Sequence, residues 1–269
     1  MLFRSGSGGF GPLTIVGDYA GLGGRLEIEA ELGGDHASAD RLVVTGASSG
    51  LTPVTVTNLG GQGAATGRGM LVVQVDGVSS GQFALANGDY SIGGRSALVA
   101  GAYGYVLERD AADGDWYLRS ALPGAGAGEA PGGPDGPRPP LFQPGAPVFE
   151  AYANVLLALS EASTLRQRVG DRRYGAADVD RTGVWGRIEG RTSHLEPSVT
   201  ATGVQQDADS WKIQFGVDRV LSGGEGGARL IGGLNVQLGA ADTRLSSEHG
   251  GGEIDTDVYG IGAAMTWYG

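Results

Sequence analysis

The chain has no cysteine among its 269 residues. Disulfides and thiolate metal sites are therefore excluded. Proline is sparse at 11 residues, and the 52 glycines follow no three-residue period. That excludes a collagen-type helix. No run of roughly 18 apolar residues occurs, so no transmembrane helix is expected. This absence says little about a membrane barrel, whose signal per strand is much weaker. Met1-Leu2-Phe3-Arg4-Ser5-Gly6 lacks the apolar stretch of about 7–15 residues that marks a signal peptide. Positive charge is also short: 19 basic residues face 30 acidic ones, a formal net charge of -11. Without a basic stripe or polybasic patch, nucleic acid is not an expected partner, and neither is a purely electrostatic hold on a membrane surface.

What is present is alternation. Hydrophobic residues make up 41% of the chain, enough to build cores. The length fits one large or two modest domains. In the first half, short runs begin at Leu13, Leu26, Leu42, Val54 and Leu71, which lie 13, 16, 12 and 17 positions apart. From Arg25 to Leu32 the pattern is regular. Leu26, Ile28, Ala30 and Leu32 point one way; Arg25, Glu27, Glu29 and Glu31 point the other. Glycine pairs at 23–24, 33–34 and 60–61 separate the runs. Stacked coils of a β-helix and a β-sandwich fit this pattern equally well. Phe83, Tyr103, Tyr105 and Trp116-Tyr117-Leu118 then bring aromatics that earlier runs lack, as a cap on a solenoid requires.

Residues 123–147 are rich in Pro, Gly and Ala and read as an extended spacer between domains. A helix is expected over Val148–Val169. Pro147 suits its first position, and Tyr152, Val155, Leu156, Leu159, Ala162 and Leu165 have helical spacing. Its length of roughly 30 Å is near that of a bilayer core. Glu150, Glu161, Arg166 and Arg168 forbid lipid contact. A barrel plug and a surface amphipathic helix are both open to it.

From Thr182 four long alternating strands are expected. Val184, Gly186, Ile188 and Gly190 oppose Trp185, Arg187, Glu189 and Arg191. Trp211, Ile213, Phe215 and Val217 oppose Lys212, Gln214, Gly216 and Asp218. Leu230, Gly232, Leu234, Val236 and Leu238 oppose Arg229, Ile231, Gly233, Asn235 and Gln237. Tyr259, Ile261, Ala263, Met265 and Trp267 oppose Val258, Gly260, Gly262 and Thr266. Strands crossing a tilted membrane wall need about 9–11 residues with one apolar face. A soluble sheet with one wet face has a similar pattern.

Leu13-Thr-Ile-Val-Gly-Asp-Tyr19, Asp40-Arg-Leu-Val-Val-Thr-Gly46 and Gly67-Arg-Gly-Met-Leu-Val-Val-Gln-Val-Asp-Gly77 resemble the passenger coils and stability region of pertactin-type autotransporters. Leu165-Arg-Gln-Arg-Val-Gly-Asp-Arg-Arg-Tyr174 followed by Val184-Trp-Gly-Arg-Ile-Glu-Gly-Arg191 resembles the start of the autotransporter translocator. This resemblance implies a mainly β chain. Residues 1–122 would be the end of a right-handed parallel β-helix with an autochaperone cap, and 123–147 a linker. Residues 148–174 would be a helix threading the barrel, and 175–269 the first four strands of an outer-membrane barrel. The family implies about 12 strands, within the bacterial range. The expectation is therefore a piece of a longer protein that translocates and displays its own passenger at the cell surface. Implied partners are outer-membrane lipid, the barrel-assembly machinery and, through the passenger, a host or neighbouring cell; a monomer is expected. For a chain exported unfolded through an oxidising compartment, lacking cysteine avoids premature cross-links. The competing reading is a soluble secreted β-rich adhesin or binding domain.

No chemistry is assigned. His36, His194 and His249 are isolated in sequence. Gly6-Ser7-Gly8 lacks the context of a nucleophile elbow, and Gly60-Gly61-Gln62-Gly63 lacks that of a phosphate loop. Some family members cleave themselves at an Asn-Asn pair; here only Asn154 stands in the helix. No catalytic, metal or cofactor-binding residue and no cofactor is expected.

Overall fold

The structure is a computed structural model. It describes residues 2–3, 9–122, 138–160, 164, 167, 182–223 and 228–268. The chain is mainly β and forms two compact units, Met1–Ala146 and Pro147–Gly269.

The first unit holds β1 (Leu2–Phe3), β2 (Pro12–Ile15), β3 (Tyr19–Leu22), β4 (Arg25–Ala30), β5 (Arg41–Val44), β6 (Ser48–Asn58), β7 (Met70–Val75) and β8 (Gln82–Leu85). These pair in parallel, a coil apart: Pro12 with Arg41, Tyr19 with Ser48, Leu26 with Val54, Leu42 with Val73 and Leu51 with Gln82. Successive apolar runs alternate between two sheets. Those at Leu13, Leu42 and Leu71 build the sheet of β2, β5 and β7; those at Leu26 and Val54 build the sheet of β4 and β6. The irregular spacing of 13, 16, 12 and 17 is thus two strands per coil. An antiparallel sandwich does not pair this way.

Inward residues seal the space between the sheets. Leu26, Ile28, Ala30 and Leu32 are all buried, as their alternation predicts, with Leu42, Val44, Val54, Val56 and Val72. Polar corner residues satisfy the backbone where the chain turns. The Asp35 carboxylate accepts the N–H groups of Gly67, Arg68 and Gly69 at 2.9–3.2 Å. The Asn87 amide pairs with both the N–H and C=O of Val56 at 3.0 and 2.8 Å, as a strand residue would.

β9 (Tyr90–Ile92), β10 (Arg95–Ala100), β11 (Tyr103–Arg109) and β12 (Trp116–Arg119) complete this unit. They are antiparallel and extend only the sheet of β2, β5 and β7, in the order β2-β5-β7-β12-β11-β10-β9. Gly93 and Gly94, with φ of 55° and 75°, make the two-residue turn between β9 and β10. Gly-Gly between two short runs is the usual signal of such a hairpin.

The tract expected as spacer is only partly described. Residues 123–137 lie outside the described residues. Residues 138–145 do not act as a spacer: Leu141 is fully buried against Ala97 and Val106, and it bonds Ser120 and Gly104 through its backbone. One large apolar side chain outweighs the prolines around it.

The second unit holds α1 (Ala146–Ser160) and four strands, β13 (Thr182–Leu195), β14 (Gln205–Ser222), β15 (Arg229–Ser247) and β16 (Gly250–Tyr268). These form one antiparallel sheet in chain order. The strands are 14, 18, 19 and 19 residues long, all longer than the about 9–11 residues that a tilted membrane wall requires. The expected helical residues 161–163, 165–166 and 168–169 lie outside the described residues. α1 itself buries Pro147, Ala151, Val155 and Leu159, one residue per turn. Tyr152 and Leu156, expected on the apolar face, are instead 48% and 40% exposed.

Candidate functional site

The sheet β13–β16 is inside out. Paired residues of antiparallel neighbours share a face. One face carries Val184, Ile188, Phe215, Val217, Leu234, Val236, Leu238, Tyr259, Ile261 and Met265, all exposed; Ile188 reaches 79% and Ile261 91%. The opposite face carries Lys212, Gln214 and Asp218, at most 8% exposed. Arg187 pairs with Glu189 at 2.6 Å, and Gln214 donates to Gln237 at 2.8 Å. Trp185 lies over Gly216 of the next strand, where any Cβ would meet the indole at 2.4 Å.

Each large apolar side chain left in water forgoes about 1.5–3 kcal/mol. Twelve such residues, counting Trp211 and Trp267, forgo on the order of 20 kcal/mol. Net stabilities of whole domains are about 5–15 kcal/mol. Covering this face is therefore worth more than the whole net stability of a typical domain.

The apolar band has two margins. Trp267 pairs with Leu230 at one, and Trp211 pairs with Ala240 at the other. Ten residues of β15 separate those rows, about 33 Å along the strand and about 25 Å once tilted by 35–45°. That is the height of an outer-membrane apolar band, and interfacial aromatics mark its edges.

Past Trp211 the faces exchange character. Thr192, Asp209, Asp242 and Asp255 stand in one row across all four strands. His194, Asp207, Arg244 and Glu253 form the next. On the other side, Val204, Ala241, Leu245 and Ile254 pack on Ala151, Val155 and Leu159 of α1. The same strands thus present apolar residues outward over one stretch and acidic residues outward over the next.

α1 is pinned at this acidic end. The Glu150 carboxylate accepts the Ala201 N–H at 2.7 Å, the Thr202 N–H at 3.0 Å and the Thr202 hydroxyl at 2.6 Å. Burial pushes the Glu150 carboxyl up, but these donors and Thr200 outweigh it and hold it below its ordinary value. Ser247 donates to the Thr202 carbonyl, and His249 beside it is 4% exposed. Burial lowers the His249 pKa against the opposing pull of Glu248 and Glu150. His194 differs: it is exposed, and its bonds to Asp207 at 2.6 Å and Glu196 at 3.2 Å raise its pKa. The third histidine, His36, is exposed in the first unit. No group of three His, Cys, Asp or Glu among the described residues could hold a metal ion.

The first unit has its own focus at the cap. Tyr105 is fully buried; its hydroxyl accepts the Ala64 N–H at 2.8 Å and lies 2.9 Å from the carbonyls of Gly33 and Ala64. Tyr19 stacks on Phe83 with centroids 6.0 Å apart, and Phe83 meets Trp116 edge to face at 5.5 Å. Arg119 is buried, bonds Asp110 and the Arg68 carbonyl, and lies with Arg68 over the Tyr117 ring. The cap therefore ties strand β11 to loops two coils away in sequence.

Residues 1–107 match the Autochaperone Domain Type 1 family. The chain is 43% identical to the adhesin BmaC autotransporter of Brucella suis over 97% of its own length and 8% of that protein's. It is 35% identical to the autotransporter adhesin AIDA-I of Escherichia coli over 42% of its length and 8% of that protein's.

The chain belongs to the autotransporters.

It is also 29% identical to the E. coli protein YdeU over 95% of its length, and there it spans 55% of the relative. The chain thus spans from less than a tenth to about half of the length of these relatives. The faces assigned from the sequence to Val184–Arg191, Trp211–Asp218 and Tyr259–Trp267 are the faces the structure builds. What the sequence did not suggest are the groups acting through corners and loops: Asp35, Glu150, Arg119 and His249. Each is a lone polar residue whose partners are 32 or more positions away or follow a change of direction. Asn154, the only asparagine of α1, is exposed.

Proposed function

We propose that this chain joins the end of an autotransporter passenger to the start of its outer-membrane translocator. In this reading residues 1–122 are the last coils of a right-handed parallel β-helix and its cap. Residues 123–137 link it to a helix that begins with α1 and lies in the pore, and 175–269 form wall strands of a barrel. The inverted polarity of β13–β16 carries the proposal: charged and amide side chains are covered while Val184, Ile188, Ile261 and Trp267 face outward. Closed barrels in lipid require that arrangement.

The passenger side supports a folding role. Coils of β2–β8 expose pairing edges, and a cap with its own core can hold them as a template. The word adhesin in the names of BmaC and AIDA-I supports display of a binding passenger at the cell surface rather than an enzyme. Outer-membrane lipid and the barrel-assembly machinery are the proposed partners, and the unit acts as a monomer. The test is purification with and without detergent. The proposal expects aggregation once detergent falls below its micelle concentration. A monodisperse, folded chain in plain buffer would reject the barrel and favour a soluble β-rich binding domain.

A further inference from the structure

The two sheets of the first unit end differently. The sheet of β2, β5 and β7 continues through β12, β11, β10 and β9; the sheet of β4 and β6 stops at β8. Among the described residues β8 pairs with β6 alone. The Ala86 N–H bonds the Val54 carbonyl on the paired side. Alternation along the strand sends the backbone groups of Phe83 and Leu85 to the open side. An unpaired edge of this kind is a template for another strand.

A cleft of about 560 Å³ lies along that edge. Its floor is apolar, from Phe83, Leu85, Leu107 and Trp116, and its rim is charged, from Arg95, Glu108 and Arg109. Trp116 is 6% exposed, and its indole N–H has no partner among the described residues. A buried donor left unpaired costs about 1–3 kcal/mol. The rim has a sign. Glu108 is shared between Arg95 and Arg119, while among the described residues Arg109 bonds the Ser79 carbonyl and no carboxylate. That leaves positive charge at the mouth of the cleft on a protein of net charge -11.

We infer that this cleft takes an extended segment of another polypeptide, added as a strand to the free edge of β8, with an acidic side chain at Arg109. Backbone pairing supplies the hold, and the apolar floor receives alternate side chains. The segment lies against Trp116, which lines the cleft. The four residues of β8 give a pairing length of about 13 Å. Nothing in this site depends on how the second unit meets a membrane.

The test uses the full chain with its four indole N–H groups labelled with nitrogen-15. The probe is an acetylated heptapeptide of alternating valine and threonine with one central glutamate. The expected result is a saturable shift of the Trp116 signal alone, with Trp185, Trp211 and Trp267 unmoved. A peptide N-methylated at alternate positions should bind at least about tenfold more weakly, a loss of about 1.4 kcal/mol. Lysine in place of the glutamate should weaken binding too. The inference is overturned if the Trp116 signal stays put at millimolar peptide, or if the N-methylated or lysine peptide binds equally well. It is also overturned if concentrating the chain alone moves that signal, which would give the edge to a second copy.

Discussion

The two units use the same period-2 alternation but cover opposite kinds of face. In β4 the apolar residues Leu26, Ile28 and Ala30 are buried and the glutamates between them face outward. In β14 Lys212, Gln214 and Asp218 are buried while Trp211, Phe215 and Val217 face outward. Alternation therefore tells which residues share a face; it does not tell which face meets water. That is decided by what the opposite side can pack against. The first unit closes two sheets on each other, so its inward face must be apolar. The second has one sheet, whose inward face meets α1 and a set of charged and amide groups.

The largest test of this contrast lies in the cap. Trp116→Ala removes a buried indole that touches Phe83 and should cost about 3–5 kcal/mol. Limited proteolysis should then open residues 1–122, and unchanged resistance would separate Trp116 from the stability of the coils. Next comes Ile261→Arg on the outer band. In a bilayer it should destabilise the fold by about 2–4 kcal/mol. At an exposed position of a soluble sheet the same change is within about 0.5 kcal/mol. Unfolding in liposomes, followed by urea titration, separates the two.

Glu150→Gln should weaken the hold on α1 by roughly 2 kcal/mol, because hydrogen bonds to a charged group are lost or reduced. Hydrogen exchange of the α1 amides would report it, and unchanged protection would contradict the pinning. Acidification should act in the same direction. His249 has a lowered pKa when folded, so the unfolded chain binds its proton first, and stability falls as pH drops below about 6.5. Glu150, also lowered, keeps its contribution above the ordinary carboxylate value and loses it as pH falls through its folded value. Protection of α1 should thus decline in two steps between neutral and acid pH, and His249→Gln should remove the first. The smallest effect has the opposite sign. Asp209, Asp242 and Asp255 stand directly opposite one another, and like charges so placed repel. Asp242→Asn should stabilise the strand ends by a few tenths of a kcal/mol in low salt, an effect that vanishes in high salt.

The faces of the four strands and the apolar rungs of the coils were legible because hydrophobicity repeats every second residue. Strand length was not. On β15 the even-numbered residues Leu234, Val236 and Leu238 are apolar and outward, but beyond Ala240 that side carries Asp242 and Arg244. The apolar side passes to Ala241 and Leu245, which pack on α1. A reader following one apolar face stops there, although the strand continues to Ser247. The apolar face of α1 was misread for a related reason. Its tertiary partner selects Ala151, Val155 and Leu159, and the larger Tyr152 and Leu156 stay exposed. Parallel pairing in the first unit was hidden too, because spacing alone does not say whether neighbours in a sheet are one run or two apart.

The central claim is that β13–β16 turn their apolar face to lipid. The four tryptophans test it most directly, since each occupies a different surround. Single-tryptophan variants in liposomes with brominated acyl chains would be read by fluorescence quenching. The account predicts strong quenching of Trp211 and Trp267, which are 49% and 67% exposed, and little of Trp116 and Trp185, each 6% exposed. Quenching of Trp185 with Trp267 left bright would mean that the sheet faces the other way.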